Sequence, residues 1–164
     1  MAAADQAASG APLVVTGRTL RQGLEQAIQR LAEQKTHINE LNVFPVPDGD
    51  TGTNMHLTLE AAWREVNQLP EDAPISAVTK AAAHGSLMGA RGNSGVILSQ
   101  VLRGWSVGSE ERESLDAGSL SEALAEGSRV AYLAVKRPVE GTILSVARDA
   151  ARAARKSLDQ GGSL

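Results

Sequence analysis

Apolar residues recur at three- and four-residue steps along most of this chain, and this spacing limits its fold more than any other feature. In the first long segment the residues with this spacing are Leu20, Leu24, Ala27, Ile28, Leu31 and Ile38. The step is the period of one face of an α-helix, and no segment alternates apolar and polar residues as a half-buried strand does. Proline and glycine separate the segments. Helices are therefore predicted over residues 19–41, 51–69, 74–88, 93–106, 119–135 and 141–158, with a polar loop over 107–118.

The core of such a protein must be built from small and aliphatic side chains. Aromatic residues are only 2% of the chain, and an alanine-rich core favours closely packed helices. We predict an all-α antiparallel helical bundle or barrel over residues 16–164, after a loose, disordered tail over residues 1–15. Because the last helix carries only a narrow alanine stripe, we expect the bundle to be incomplete at its C-terminal end and the chain to be part of a longer protein.

Charge and cysteine content exclude several classes of protein. The formal net charge is −3 with both signs interspersed, so there is no basic patch for nucleic acid. Disulfides, zinc–thiolate sites and thiol nucleophiles are excluded because the chain has no cysteine. No run approaches the roughly 18 apolar residues of a membrane span, and the N-terminus does not resemble a signal peptide. We expect a cytoplasmic protein.

Two carboxylates stand two residues apart in a segment that cannot be helical. Pro45 and Pro47 fix the backbone, so the segment Asp48-Gly-Asp50 is predicted to be a rigid, extended loop. A loop that curves around one point can aim both carboxylates at a hard cation, and Mg²⁺ held together with the phosphates of a nucleotide is the natural occupant. The alternative is a solvated helix start at which Asp50, Thr51 and Thr53 merely cap the second helix.

Two further turns lead into helices. The segment 89–95, Gly-Ala-Arg-Gly-Asn-Ser-Gly, lets a ligand approach the backbone, and the helix start that follows offers free N–H groups to an anion such as phosphate. It lacks the lysine of a Walker loop and the spacing of a dinucleotide-binding loop. The segment 137–142 places Thr142 to cap the sixth helix. Either turn could be purely structural, but if the bundle brings three helix starts to one rim, acids and amides converge on one nucleotide.

Three segments together resemble the signatures of the nucleotide-binding domain of bacterial fatty acid kinases. They are Asn-x-Leu-Asn-Val-Phe-Pro-Val-Pro-Asp-Gly-Asp-Thr-Gly-Thr-Asn-Met over 39–55, in which x is Glu40, Gly-Ala-Arg-Gly-Asn-Ser-Gly-Val-Ile-Leu-Ser-Gln over 89–100, and Pro-Val-Glu-Gly-Thr-Ile-Leu over 138–144. That domain is DhaL-like, being related to the L subunit of dihydroxyacetone kinase. The similarity runs from about Arg18 to Leu158, and the first signature is long and specific.

The resemblance implies a helical barrel that holds ATP or ADP and Mg²⁺ at one end. The metal ligands it implies are Asp48 and Asp50, with Asn42 near, but one residue offset from, a third aspartate of related L subunits. The nucleotide-binding residues it implies are Thr51, Asn54, Gly92, Asn93, Ser94, Gly95 and Thr142. Thr51 stands where the dihydroxyacetone kinase branch has a histidine, which favours the fatty acid kinase branch.

The activity implied is transfer of the γ-phosphate of ATP to a fatty acid carboxylate, which a separate fatty-acid-binding carrier protein presents. Further domains, through which two copies could form a homodimer, would lie outside this chain, and the isolated domain could be inactive. Two alternatives remain open. One is a kinase of the dihydroxyacetone type, and the other is a regulatory module that senses nucleotide without turnover.

Overall fold

Six helices dominate residues 14–43 and 46–162, the part of the chain that this computed structural model describes. They are α1 (Gly17–Glu40), α2 (Thr51–Val66), α3 (Ile75–Met88), α4 (Gly92–Gly108), α5 (Ala117–Ala134) and α6 (Ile143–Asp159). All six were predicted to within a few residues, and the all-α prediction is confirmed. None of the helices in these ranges is long and apolar enough to cross a membrane. Residues 1–13 of the predicted tail lie outside the described residues, as do Phe44 and Pro45.

A two-stranded antiparallel pair was not predicted. β1 (Val15–Thr16) pairs with β2 (Ser114–Leu115), and Val15 lies opposite Leu115. The prediction of a disordered tail is therefore wrong at residue 15, and the polar loop predicted over 107–118 contains a short strand. The physical reason is Leu115, which is buried against Ile75 and Ala123. When Leu115 is buried, the backbone N–H and C=O groups beside it lose contact with water, and the strand pair supplies their hydrogen-bond partners.

Small residues allow the helices to pack closely. Each helix packs on the next along the chain, and α2 also contacts α4. Between α4 and α5, a Cβ on Gly104 would come within 2.5 Å of the Glu126 carbonyl oxygen, so only glycine permits this approach. In the part of the chain that the structure describes, one buried cluster is made of alanine and valine (Ala62, Val66, Val78 and Ala82), with larger, partly buried side chains such as Leu24 packed around it. The prediction of a core built from small aliphatic residues is confirmed.

The start of α2 is separated from this core. Val66, in the buried cluster, lies fifteen positions after Thr51 on α2, a distance of about 22 Å at 1.5 Å per residue. Thr51 belongs to an open end of the bundle where α2, α4 and α6 begin and where α1 and α5 finish. This end carries the three sequence motifs.

Candidate functional site

A cavity of about 700 Å³ opens at this end of the bundle, and all three motifs contribute to its wall. Its polar lining residues are Asn42, Thr51, Asn93, Ser94 and Thr142. Its apolar lining residues are Ile38, Leu41, Val43, Met55, Val96, Ile97, Ala134, Val135, Val139, Ile143 and Leu144. Lys136 and Arg137 add two cations to the same wall. Three helix starts therefore meet at one rim, which is the condition for the motifs to converge on one nucleotide, but neither Asp48 nor Asp50 lines the cavity.

Asn42 organises the loop that carries the two aspartates. Its Nδ2 donates to the Val46 carbonyl oxygen at 2.6 Å and lies 3.5 Å from Asp48 Oδ1. The Thr51 hydroxyl donates to Asn42 Oδ1. The Asn42 amide therefore ties the start of the loop to its middle and to the start of α2. In this arrangement the nitrogen of Asn42, rather than its oxygen, faces the Asp48 carboxylate.

The cap of α2 comes from a different residue than predicted. Asp50 occupies the N-cap position but its side chain makes no capping hydrogen bond, and Thr51 is already the first helical residue. Instead, Asn39 at the end of α1 accepts hydrogen bonds from the backbone N–H groups of Gly52 at 2.8 Å and Thr53 at 3.2 Å. It also donates from Nδ2 to Thr53 Oγ1 at 3.0 Å. The prediction that Thr51 or Thr53 caps α2 is wrong, because an amide from the preceding helix reaches these donors.

The first and second motifs contact each other directly. Ser94 Oγ donates to Thr51 Oγ1 at 3.4 Å. Gly92 has a φ of +56°, and a Cβ there would lie 2.2 Å from Asn54 Nδ2. Such a positive φ with so close a neighbour requires glycine. Asn54 therefore packs against the glycine-rich turn and does not line the cavity itself.

The start of α4 presents unpaired backbone donors to the cavity. Within the described ranges, the N–H groups of Gly92, Asn93 and Ser94 have no acceptor, and Gly95 N makes the first helical bond, to Arg91 O at 2.9 Å. At the start of α2, by contrast, Asn39 already satisfies the equivalent donors. Free N–H groups and the positive end of the helix dipole together favour an anion at α4.

The third motif behaves as predicted at its helix start. Thr142 is the N-cap of α6, and its Oγ1 accepts from Leu144 N at 3.3 Å and donates to Val139 O at 2.8 Å. Sequence reasoning missed Glu140 in the same turn. Its carboxylate accepts from Arg148 Nη1 at 2.6 Å and from Ser145 Oγ at 2.9 Å. Glu140 could have been found from the spacing of Ser145 and Arg148, which are three residues apart and therefore lie on one face of α6, where both can reach a carboxylate in the preceding turn.

The carboxylates suit a metal ion that is shared with phosphates rather than one that the protein encloses. In the described part of the chain, no three His, Cys, Asp or Glu residues lie close enough to hold an ion together. Mg²⁺ commonly takes only one or two carboxylates, with phosphate and water oxygens completing its shell. Asp48, Asp50 and the nearby hydroxyl of Thr51 supply oxygen donors of this kind.

His84, the histidine nearest the glycine-rich turn in sequence, is exposed beside Glu65.

Comparison with known proteins identifies the family. A family model for the DAK2 domain matches residues 45–164, which contain all of the second and third motifs and most of the first. The chain belongs to the DAK2 domain family. This DAK2 domain is thus a nucleotide-binding module like the L subunit of dihydroxyacetone kinase, from a family associated with kinase function and with partner subunits.

The relatives of this DAK2 domain are longer proteins. The chain is 50% identical over 138 residues to protein YloV of Bacillus subtilis, covering 84% of this chain and 25% of that protein. It is 46% identical over 147 residues to an uncharacterized protein of Staphylococcus epidermidis (strain ATCC 12228), covering 89% and 26%. It is also 46% identical over 141 residues to an uncharacterized protein of Staphylococcus aureus (strain USA300), covering 85% and 25%. The chain spans about a quarter of the length of these relatives.

Proposed function

We propose that this DAK2 domain binds Mg·ATP in the cavity and is the ATP-handling part of a fatty acid kinase. The carboxylate of a fatty acid, which a separate carrier protein presents, forms a bond to the γ-phosphorus while the bond from that phosphorus to ADP breaks. The products are an acyl phosphate and ADP. The observation that carries the proposal is the convergence of all three motifs on one cavity of about 700 Å³. That volume is within the range of small-molecule sites.

The two kinds of lining surface suit the two parts of a nucleotide. Phosphates would lie against the free N–H groups of Asn93 and Ser94 at the start of α4, where the helix dipole favours negative charge. The apolar lining, which includes Met55, Ile97 and Leu144, would contact the flat faces of the base. Thr51 and Thr142 add side chains with hydroxyl oxygens to the same wall. Among the expected nucleotide ligands, those that line the cavity would contact the nucleotide: Thr51, Asn93, Ser94 and Thr142. The others, Asn54, Gly92 and Gly95, would shape the turn behind them.

Magnesium would be held by Asp48 and Asp50 together with phosphate oxygens. When bound, it neutralises phosphate charge that builds up during transfer. Asn42 fixes the loop that carries Asp48, and its hydrogen bond to Thr51 links that loop to the start of α2. The contribution of these residues is to place the carboxylates before the nucleotide arrives.

A carboxylate acceptor fits the composition of the wall. A fatty acid carboxylate is already a nucleophile at neutral pH, so the site must supply placement and charge. Lys136 and Arg137 are exposed cations on the cavity wall and would attract an anionic acceptor or the phosphates. The threonine at position 51, in place of the histidine of the dihydroxyacetone kinase branch, supports the same assignment of acceptor.

Titration with Mg·ADP tests the nucleotide site. A ligand at one hundred times its dissociation constant stabilises the folded state by about 2.7 kcal/mol, which corresponds to a rise in Tm of roughly 5–10 °C for a domain of this size. Asp48→Asn should remove most of the rise that depends on Mg²⁺. Asp72→Asn is the matched control, because Asp72 is an exposed aspartate in the turn after α2, far from the cavity.

Three outcomes would overturn parts of the proposal. A wild-type Tm that does not change with Mg·ADP would exclude the nucleotide site. An equal rise in the Asp48→Asn variant would exclude Asp48 as a metal ligand. If the full-length protein phosphorylates dihydroxyacetone without a carrier, and forms no acyl phosphate when a lipid-loaded carrier is added, the assignment of the acceptor is wrong.

A further inference from the structure

The turn between α5 and α6 forms one wall of the cavity but has little packing of its own. It runs from Val135 to Thr142, and every residue from Lys136 to Gly141 is exposed. Gly141 has a φ of +77°, and a Cβ there would meet nothing within 4 Å. Burial therefore does not fix the position of this turn, and another interaction must do so.

Glu140 supplies that interaction with both of its carboxylate oxygens. Oε1 accepts from Arg148 Nη1 at 2.6 Å and from the Tyr132 hydroxyl at 3.2 Å. Oε2 accepts from Ser145 Oγ at 2.9 Å, and Ser145 Oγ in turn accepts from Gly141 N at 2.8 Å. Tyr132 belongs to α5, whereas Ser145 and Arg148 belong to α6. One side chain thus joins the turn to both helices that flank it.

Electrostatics favour the ionised forms of Glu140 and Arg148. Hydrogen bonds from Arg148 and then from Ser145 lower the pKa of Glu140. The Glu140 and Asp149 carboxylates in turn raise the pKa of Arg148. Arg148 is also the less exposed partner, with 28% of its side chain accessible against 64% for Glu140. Bonds between ionised partners are shorter and stronger than neutral ones, so ionisation of Glu140 and Arg148 favours this arrangement.

We infer that Glu140 is a positioning residue for the nucleotide: by tying the turn to α5 and α6, it holds Arg137 and Thr142 at the cavity wall. Glu140 itself does not line the cavity, whereas Arg137 and Thr142 do. The inference deepens the proposed function and rests on it. It assigns to Glu140 an effect on nucleotide affinity that is larger than its effect on the stability of the fold.

Glu140→Gln tests the inference. The amide keeps the shape of the side chain but loses the charge-assisted bond to Arg148. We expect the Kd for Mg·ADP, measured by calorimetry, to rise about tenfold, the lower end of what loss of an outer-shell partner costs at metal sites. Amide hydrogen exchange over residues 136–142 should become faster. Arg148→Gln should weaken binding similarly, and the double variant should bind no more weakly than either single variant, because both changes break one interaction.

Glu126→Gln is the matched control. Glu126 and Arg129 both lie on α5, and the Glu126 carboxylate accepts from Arg129 Nη2 at 2.5 Å and from Arg129 Nε at 2.7 Å. Neither residue lines the cavity. This variant should bind Mg·ADP as wild type does. If the wild type binds but Glu140→Gln binds equally well, or if Glu126→Gln weakens binding as much, the inference is wrong and the proposed function stands. If the wild type does not bind, both are wrong.

Discussion

Replacement of Asn39 by alanine should destabilise the domain more than a surface asparagine normally does. Three hydrogen bonds are lost: two from the backbone of Gly52 and Thr53 to Oδ1, and one from Nδ2 to Thr53 Oγ1. A helix cap is worth about 1 kcal/mol, and each further hydrogen bond contributes about 0.5–1.5 kcal/mol. We expect a loss of about 2 kcal/mol in the free energy of unfolding, or roughly 4–8 °C in Tm.

Thermal unfolding followed by circular dichroism at the helix band measures this loss, and Asn67→Ala is the control. Asn67 is an exposed asparagine at the other end of α2, where only its backbone contributes to the cap. Its replacement should change stability by no more than about 0.5 kcal/mol. Asn39→Asp keeps the acceptor and adds a charge that the helix start favours, so it should retain most of the stability. If Asn39→Ala and Asn67→Ala lose the same amount, Asn39 does not cap α2.

Two further predictions concern a pair of glycines and one aspartate. Gly95→Ala should lower the free energy of unfolding by about 1–3 kcal/mol, since its Cβ would lie 2.3 Å from Thr58 Oγ1. Gly23 is exposed on α1 and a Cβ there would have nothing within 4 Å, so Gly23→Ala should raise the free energy of unfolding by about 0.5–1 kcal/mol. Urea unfolding measures both changes, and equal effects would contradict the packing of α4 on α2. Hydrogen bonds from Ser119 lower the pKa of Asp116 at the start of α5 in the folded protein. The Asp116 charge therefore stabilises the fold fully at pH values above the ordinary pKa of the unfolded chain, about 4. This stabilisation is lost as the pH falls through the lowered pKa of the folded protein. The difference in Tm between wild type and Asp116→Asn should therefore change between pH 6 and pH 3 and stay constant above pH 6; a constant difference throughout would show that the Asp116 charge does not stabilise the folded state.

The helices and the three motifs could be predicted from sequence because both depend on local patterns. Apolar spacing predicts a helix wherever one face is buried, and proline ends a helix whatever its surroundings. Thr142 was predicted as the cap of α6 for the same reason, since a cap acts within three residues of itself. These features need no knowledge of the neighbouring helices.

The features that sequence did not predict depend on partners that are distant in the chain. Leu115 stands in a polar segment, and only its contact with Ile75 shows that it is buried. Asn39 looks like an exposed residue at the end of α1 until α2 folds back beside it. Glu140 is a partial exception, because its partners Ser145 and Arg148 are only five and eight residues away, but the bend of the turn that aims its carboxylate at them is not visible in the sequence. Such contacts form only after the helices have packed.

The cavity is built from residues far apart in the sequence, from Ile38 to Leu144. Contacts between segments so far apart in sequence form late in folding, after the entropy of closing a long loop has been overcome. A chain still emerging during synthesis would carry both aspartates but no site until α6 had docked. Nucleotide could then bind only the completed fold, so binding would measure the fraction of molecules that have finished folding.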